Sequence, residues 1–409
     1  MNRQVLRLKW LVGVLAASVA LLAGWLFSAE SPQTPPADFQ KPSQHNVLFV
    51  IPYGNAENQI YLEYTPGPGE GEFGTAIAPT GFRVLTDGCL AIIAGYPDKV
   101  VVQVFTQDGK LARAVPQPTV KTTSWTRLYL HSDGSMYYVG YWLNREELYT
   151  LPEPPSEEAT EGASDGSRLK PVPNVERLFT VVNPNGAIDA ALSETFRRQL
   201  YSLLEERDDI ELFGTKVEVD AQGTVYLPML LRLREGEDYE RILLAKLSPR
   251  GTMELVENPP GRVVRSHDGS VVYVKFQPLE DADPRDYSWL SAYLFVRADG
   301  TEIARFRVPP RANENSLITR EPVLVRPDRL AIVSFEKVAH GKPNRAESLP
   351  HFCQGYKRLM VVTPEGEIVY EDWVQGPPMT EACVTDGRGN LYYLNFTDAG
   401  VEVKKVRVP

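Results

Sequence analysis

Cysteine and histidine are scarce in this sequence, which has three cysteines and five histidines among 409 residues. Three cysteines support one disulfide at most, so the fold cannot depend on a framework of disulfides. His340, His351 and Cys353 lie within one stretch, but their spacings of 11 and 2 match no familiar zinc-ligand set. The sequence also lacks a recognisable set of nucleophile, base and orienting residue. These shortages argue against a zinc site and against a nucleophilic enzyme.

Positive charge is also in short supply, since the formal net charge is −10. Three of the positive charges, on Arg3, Arg7 and Lys9, precede the first apolar run, so the rest of the chain sums to −13. A surface of that sign repels phosphate backbones, and nucleic acid is therefore not an expected partner.

One long uncharged run, from Trp10 to Phe27, follows these basic residues. Its 18 residues would span about 27 Å as a helix, enough for a thin hydrocarbon core. The basic flank is expected to stay in the cytoplasm, which places Ser28 to Pro409 outside it. The sequence thus predicts a single-pass protein of the cell membrane, held by a transmembrane signal-anchor over residues 1–29, with an extracytoplasmic C-terminal domain.

A cleaved signal peptide is the alternative to this anchor. Cleavage after Ala29 would place Phe27 where a small residue is preferred, and no cysteine follows to accept a lipid. Residues 30–44 contain four prolines and little that is apolar, which is typical of a stiff linker. Because the compartment would be oxidising, Cys353 and Cys383 are candidates for one disulfide, and Cys89 is expected to be a buried thiol in a strand.

The segment from Arg262 to Pro309 has the pattern of a four-stranded unit. Its two apolar-alternating pairs are each joined by an Asp-Gly turn, at Asp268-Gly269 and Asp299-Gly300. Four antiparallel strands in about 45 residues cannot bury their own faces, so such units are expected to stack radially as a β-propeller. The predominance of β-branched and aromatic residues in short runs likewise favours an all-β domain over residues 45–409.

Similar turns recur along the chain and give the number of blades. First-hairpin turns lie at Gly88, Gly134, Gly223, Gly269, Asp328 and Gly389, and second-hairpin turns at Gly109, Gly186, Gly251, Gly300 and Gly366. The last copy lacks its final strand, and an early strand near Val47 to Ile51 is expected to supply it and close the ring. The sequence therefore predicts six blades, with seven as the alternative if residues 46–75 form more than one closing strand.

Two segments interrupt the repeats. Residues 153–168 are acidic and are expected to form a disordered insertion. Leu192, Phe196, Leu200, Leu203 and Leu204 recur at spacings of three and four, which predicts an amphipathic helix over 190–207. Packing on the propeller is preferred for this helix, with partner binding as the alternative.

The recurring turn, Tyr-containing strand and Pro-x-Gly turn resemble the NHL-repeat-like six-bladed propellers of bacterial extracytoplasmic proteins. The segments that carry the resemblance are VDAQGTVYL, TDGRGNLYYL, LSPRGTMEL and VTPEGEIVY, within residues 74–409. The resemblance implies the architecture and the compartment. It does not select a function, since propellers include hydrolases, receptors and scaffolds.

The long connections are predicted to share one face of the propeller, and they carry the candidate binding residues. The connections are 151–174, 187–213, 278–289 and 336–356. Aromatic residues on or beside them are candidates for binding a protein, peptide or cell-wall glycan: Trp125, Trp142, Tyr287, Trp289, Phe352 and Trp373. Packing between blades is the alternative role for each of them.

No cofactor is required by the binding role, but calcium belongs to the alternative function. Four carboxylates occur within seven residues, at Glu280, Asp281, Asp283 and Asp286. Arg285 interrupts them and no glycine makes a sharp turn, so a solvated loop is favoured over a calcium site. The sequence thus favours a non-enzymatic binding or scaffold module over a calcium-dependent lactonase or hydrolase. An apolar or Arg-filled central channel would argue against the latter.

Overall fold

A computed structural model of the chain describes residues 46–65, 75–120, 126–140, 175–207, 209–212, 217–231, 241–278, 290–309, 317–318, 322–335, 356–376 and 383–409. The predicted anchor (1–29), linker (30–44) and acidic insertion (153–168) lie outside these ranges. Among the helices that the structure describes, none is long and apolar enough to cross a membrane. The anchor and its orientation stay predictions.

The described strands form a six-bladed β-propeller, as the sequence predicted. Before the first blade come β1 (Val47–Ile51), β2 (Glu63–Thr65) and β3 (Thr75–Ile77). Blade 1 consists of β4 (Gly81–Val84), β5 (Leu90–Gly95), β6 (Val100–Phe105) and β7 (Leu111–Pro116). Blade 2 consists of β8 (Thr126–Leu130), β9 (Met136–Gly140) and β10 (Phe179–Val182). Blade 3 consists of β11 (Ile210–Leu212), β12 (Glu218–Val219), β13 (Val225–Leu231), β14 (Arg241–Leu247) and β15 (Met253–Val256).

The second half of the ring repeats the same antiparallel order. Blade 4 consists of β16 (Arg262–Arg265), β17 (Val271–Pro278), β18 (Leu290–Val296) and β19 (Glu302–Arg307). Blade 5 consists of β20 (Leu317–Ile318), β21 (Val323–Arg326), β22 (Arg329–Phe335), β23 (Tyr356–Val362) and β24 (Ile368–Gln375). Blade 6 consists of β25 (Cys383–Thr385), β26 (Asn390–Thr397), β27 (Gly400–Arg407) and β1. Outside the blades, β2 pairs with β3, and Val175–Arg177 forms one 3-10 turn.

Tight hairpin turns collect on one face of the ring, which we term the hairpin face. The predicted turn glycines all have positive φ, for example +84° at Gly88 and +81° at Gly269, a conformation that residues with a Cβ rarely adopt. The aspartate before the turn also contributes, since the Asp268 carboxylate accepts the backbone N–H of Ser270 at 3.0 Å. The opposite face, which we term the connection face, carries the links between blades and between the second and third strands.

The ring closes by pairing the two ends of the described chain. In blade 6, β1 is the outermost strand and runs antiparallel to β27, with Ile51 opposite Val401 and Val47 opposite Lys404. This confirms the predicted closing strand. Residues 46–51 therefore enter the ring from the hairpin face and leave it at the connection face.

Blade 2 departs from the four-strand prediction because a helix occupies the position of its outer strand. After the turn at Gly186 a single bridge joins Val182 to Ile188, and α1 (Ala190–Glu206) then begins with Asp189 as its N-cap. The Ser193 hydroxyl accepts the Val181 N–H at 2.9 Å, and Arg197 Nε donates to the Phe179 carbonyl at 2.5 Å. Side chains of α1 thus satisfy backbone groups that a fourth strand would have paired.

Apolar side chains fill all six seams between neighbouring blades. The seam between blades 2 and 3 also takes the apolar face of α1, where Phe196 and Leu200 are fully buried. The seam between blades 6 and 1 contains Ile51 from the closing strand. Each large side chain buried in this way contributes about 1.5–3 kcal/mol, so the radial stack is held mainly by these seams. The innermost strands of neighbouring blades contact one another around a central channel.

Candidate functional site

Four polar side chains from four blades meet in the central channel. Arg83 comes from β4, Tyr129 from β8, Glu218 from β12 and Arg265 from β16. All four strands are the innermost of their blades. Most residues beside these four belong to the apolar seams, as Phe82 and Val84 do beside Arg83. We term these four residues the channel cluster.

Tyr129 is at the centre of the channel cluster. The guanidinium carbon of Arg83 lies 5.2 Å from the centroid of its ring, and that of Arg265 lies 5.8 Å from it. Arg265 Nη2 donates to the Tyr129 hydroxyl and, at 2.8 Å, to the Val219 carbonyl. The Tyr129 hydroxyl in turn donates to Glu218 Oε2 at 3.3 Å. One aromatic ring therefore links cations from blades 1 and 4 to a carboxylate from blade 3.

The channel cluster is almost sealed from solvent. Glu218 is 1% exposed, whereas the side chain of Arg265 keeps 15% of its surface accessible. Arg83 Nε donates to the Leu130 carbonyl at 3.1 Å, which fixes its guanidinium against blade 2. Because buried charges are costly without partners, these contacts stabilise the channel wall.

The contents of the channel bear on the calcium-dependent alternative. Among the described residues no group of three or more His, Cys, Asp or Glu side chains is placed to hold a metal ion. The channel cluster instead presents Arg83 and Arg265, and a guanidinium repels a divalent cation.

A second buried network lies in the seam between blades 5 and 6. Lys404 Nζ is 3.0 Å from Asp372 Oδ2, and the two side chains are 3% and 0% exposed. Tyr393 donates to the same carboxylate oxygen at 2.6 Å, and Tyr370 contacts the Tyr393 hydroxyl at 2.5 Å. Burial, followed by the charge of Asp372, raises the pKa of Tyr393, so its hydroxyl stays protonated and donates. This network is too enclosed to meet a ligand, and it ties the closing blade to its neighbour.

The segment after the closing strand is fastened to blade 1 on the connection face. Gln103, which is fully buried on β6, donates to the carbonyls of Glu57 and Gln59, each at 2.7 Å. The Tyr96 hydroxyl donates to the Gln59 carbonyl at 2.9 Å and stacks near Tyr61. Blade 1 is therefore contacted both by β1, through the seam between blades 6 and 1, and by the segment that follows β1.

Most of the aromatic candidates lie where the structure gives no description. Trp125, Trp142, Tyr287, Trp289 and Phe352 are outside the described residues. Trp373 lies on β24, where it is half-buried and opposite Arg358 in the register of blade 5. A partly exposed position on an outer strand leaves both binding and packing open for this residue.

The remaining sequence candidates also fall mainly outside the described part of the chain. This applies to His340, His351, Cys353 and the four carboxylates Glu280, Asp281, Asp283 and Asp286. Cys383 is buried on β25, and its pairing with Cys353 stays a prediction. Cys89 is in the turn before β5 and is half-buried, so the prediction of a buried strand thiol was wrong in both respects. Its backbone N–H bonds to Asp87 at 2.9 Å, which keeps the residue in the turn.

Sequence reasoning did not find the channel cluster or the seam network. A detectable sign was present, because Arg83 in GFRVL and Lys404 in VEVKKVRV each interrupt an apolar strand with a charge. A charged residue within a strand is either exposed at a sheet edge or buried with a partner. Arg83 and Lys404 are buried, and their partners come from other blades. Since the partners lie far apart in the chain, local patterns could not pair them.

Comparison with known proteins identifies no relative by sequence. Neither the family models nor the curated proteins contain a match. Among solved structures, similar chains include a luciferin-regenerating enzyme, with 9% identity and a TM-score of 0.37 over 80% of this chain and 90% of that one. A catalytically inactive virginiamycin B lyase from Staphylococcus aureus has 9% identity and a TM-score of 0.34, over 85% and 99% of the two chains. A protein of unknown function from Dyadobacter fermentans has 11% identity and a TM-score of 0.38, over 88% and 98%. Similarity at this level carries no argument about what this chain binds.

Proposed function

We propose that this chain is a membrane-tethered, extracytoplasmic propeller that binds a protein, peptide or cell-wall glycan without catalysing a reaction. The observation that carries the proposal is the difference between the two faces. The described hairpin face consists of tight turns, whereas the strands that begin and end the long connections open onto the connection face. Binding residues tend to lie on loops held by a rigid scaffold, so we assign the binding surface to the connection face.

The direction of chain entry supports this assignment. Residues 1–45 join β1 at the end that points to the hairpin face, because Ile51 is opposite the start of β27 and Val47 is farther along it. A tether that arrives from that side would leave the connection face directed away from the membrane. A ligand in the cell envelope would then meet the elaborated side first.

The contents of the channel favour binding over calcium-dependent hydrolysis. A hydrolase of that type would need several oxygen ligands converging on one metal ion. The described innermost strands place Arg83 and Arg265 there, with Glu218 bonded to Tyr129. We therefore prefer a ligand-binding role and do not put calcium forward as a cofactor.

A scaffold role that used the apolar face of α1 is disfavoured. Phe196, Leu200, Leu203 and Leu204 are buried in the seam between blades 2 and 3. If the propeller assembles with other envelope proteins, these four side chains do not make the contact.

The test is capture of a ligand by the extracytoplasmic part, residues 31–409, from solubilised membranes and from purified cell-wall polymer. We expect capture by the parent protein, and we expect the double variant Trp142→Ala and Trp289→Ala to reduce it at least about tenfold, because aromatic anchors dominate binding energy. The matched control is Arg305→Ala, on the outer strand of blade 4 and paired with exposed Glu302. Retention of neither a protein nor a wall polymer by the parent protein would contradict the proposal.

A further inference from the structure

We propose that the connection face of blade 1 carries a binding site for an uncharged sugar chain, centred on the ring of Tyr61. The inference rests on the proposed function, because it selects a carbohydrate from the ligand classes named there and gives that ligand a place among the described residues. The site consists of Tyr61, Glu63, Tyr96 and Lys99, which we term the tyrosine platform.

The tyrosine platform is built by two segments that meet at the connection face. Tyr96 and Lys99 begin and end the link between β5 and β6, and the Tyr96 N–H donates to the Lys99 carbonyl at 2.9 Å. Tyr61 and Glu63 follow the closing strand, and Glu63 is the first residue of β2. Tyr61 and Glu63 are each half-buried and Lys99 is exposed, so the platform has surface that a ligand can reach.

Hydrogen bonds and stacking fix the two rings before any ligand arrives. Tyr96 is 9% exposed, and its hydroxyl donates to the Gln59 carbonyl at 2.9 Å and accepts from Gln103 Nε2 at 3.0 Å. Tyr61 stacks on Tyr96 with 6.1 Å between the ring centroids and 23° between the ring planes. The Tyr61 hydroxyl donates to Glu63 Oε2, and this bond is the main reason that the pKa of Tyr61 is raised. A ring held in this way loses little freedom when a ligand stacks on it.

The groups of the platform match those of a sugar. A sugar ring presents an apolar C–H face, which packs on an aromatic ring, and hydroxyl groups that both donate and accept hydrogen bonds. A carboxylate can accept about four hydrogen bonds, so Glu63 can accept from a sugar hydroxyl as well as from Tyr61. The ammonium group of Lys99 can donate to another hydroxyl. The platform thus supplies an aromatic ring, an acceptor and a donor on one partly exposed surface.

Charge argues against an ionic ligand at the rings. Lys99 Nζ lies 5.6 Å from the centroid of Tyr96, so the chain's own ammonium group already makes the cation–π contact with that ring. A cationic ligand would be repelled by Lys99. An anionic ligand would be repelled by Glu63, by exposed Asp98 in the same link, and by Glu57. An uncharged ligand meets neither cost. Since these carboxylates would attract a cation in return, a cationic peptide is the competing ligand and enters the test.

The experiment is isothermal titration calorimetry of the full-length protein, in a detergent without a sugar headgroup, with chitohexaose and with cellohexaose. We expect saturable binding of at least one of these sugars. Tyr61→Leu keeps much of the apolar volume but removes the ring, and it should weaken binding about tenfold, because aromatic anchors dominate binding energy. The matched control is Tyr201→Leu on α1. Tyr201 also donates to a neighbouring carboxylate, that of Glu205, but it packs at the seam between blades 2 and 3, so the affinity should not change.

Two further variants separate a sugar site from a merely structural contact. Glu63→Gln and Lys99→Ala should each weaken sugar binding several-fold, because each removes a charged hydrogen-bonding group. Lys99 is exposed, so Lys99→Ala should leave the melting temperature nearly unchanged, and it decides the question if Tyr61→Leu fails to fold. A merely structural platform predicts no change in affinity for Lys99→Ala.

The proposal would be overturned by no saturable heat with either sugar, by equal affinities of Lys99→Ala and the parent protein, or by tighter binding of tetralysine than of both sugars. Capture of a protein by residues 31–409 without binding of either sugar would overturn this inference and leave the proposed function intact. Loss of all capture, from membranes and from cell-wall polymer, would contradict the proposed function itself.

Discussion

Lys404 occupies an inward position of β27, where strand alternation would ordinarily place an apolar residue. Its ammonium group is satisfied by Asp372 at 3.0 Å, and the Asp372 carboxylate also accepts from Tyr393. Neighbouring Lys405 projects to the other side of the strand and lies 5.2 Å from the ring of Tyr392. Lys404 is therefore buried beside a carboxylate, whereas its neighbour Lys405 is half-buried beside an aromatic ring.

This difference gives a prediction with an internal control. Lys404→Met should lower the free energy of unfolding by about 3–5 kcal/mol, because Asp372 would remain buried without its cation. Lys405→Met should cost about 1 kcal/mol or less, the scale of a partly exposed cation–π contact. Denaturant titration of the two variants measures both values. Equal losses would show that the buried ion pair has no special effect on the seam.

Turn aspartates give a prediction about acid stability. Burial raises the pKa of Asp133, but the contact with His131 and the hydrogen bond from the Ser135 N–H outweigh it and lower the pKa to about 2. The backbone N–H of Thr301 likewise lowers the pKa of Asp299. Since the unfolded value is about 3.9, this stabilisation is complete above about pH 4 and is lost as the pH falls toward about 2.

We therefore expect Asp133→Asn to be less stable than the parent protein near neutral pH and to lose less stability below pH 4. Melting temperatures measured in steps between about pH 6 and about pH 2 test this, because only the parent can lose the contribution of that carboxylate. Parallel curves for the two proteins would contradict the assignment.

At the scale of the elements, α1 shows what the sequence predicted and what it could not. The spacing of Leu192, Phe196 and Leu200 predicted a helix over 190–207, and α1 spans Ala190–Glu206. The preferred packing role is confirmed by the burial of its apolar face. Its place as a substitute for the fourth strand of blade 2 was not predictable, since it depends on Ser193 and Arg197 reaching the edge of β10.

The helix prediction can be tested by comparing its two faces. Leu200→Ala should lower the free energy of unfolding by about 2–5 kcal/mol, because it leaves a cavity in the seam between blades 2 and 3. Arg198→Ala, on the exposed face and only loosely paired with Glu194 at 3.7 Å, should change stability by less than about 0.5 kcal/mol. Urea denaturation gives both values. Comparable effects would mean that α1 is not held by its apolar face.

At the scale of the whole molecule, the number of blades followed from the sequence because each hairpin repeats its own turn. The Asp-Gly and Pro-x-Gly turns are local, and residues such as Gly269 and Gly300 therefore marked the blades directly. The contents of the channel depend on side chains brought together from blades 1 to 4, and no local pattern specifies that convergence. Nine of the ten candidate carboxylates and aromatics that sequence analysis selected, including Trp142 and Trp289, lie outside the described residues and remain predictions.

Ring closure provides the prediction at this scale. A protein that begins at residue 46 should be monomeric and unfold cooperatively, whereas one that begins at residue 52 should lose β1 and expose the edge of β27. Exposed strand edges promote association, so we expect the shorter protein to aggregate or to melt at a lower temperature. Size-exclusion chromatography and thermal melting test this. A shorter protein that stays monomeric with an unchanged melting temperature would show that β1 is dispensable.

The pairing of β1 with β27 also determines how the molecule would bear mechanical load. The chain enters β1 at the hairpin face, while the proposed ligand is held at the opposite face, so a pull between them acts along the strand axis. Antiparallel hydrogen bonds run across that axis. They would therefore be strained together in shear, not opened one after another from an end as in unzipping. The strand that would join the propeller to the proposed tether is thus oriented to resist tension, and a pull on it would load its pairing with β27 inside blade 6.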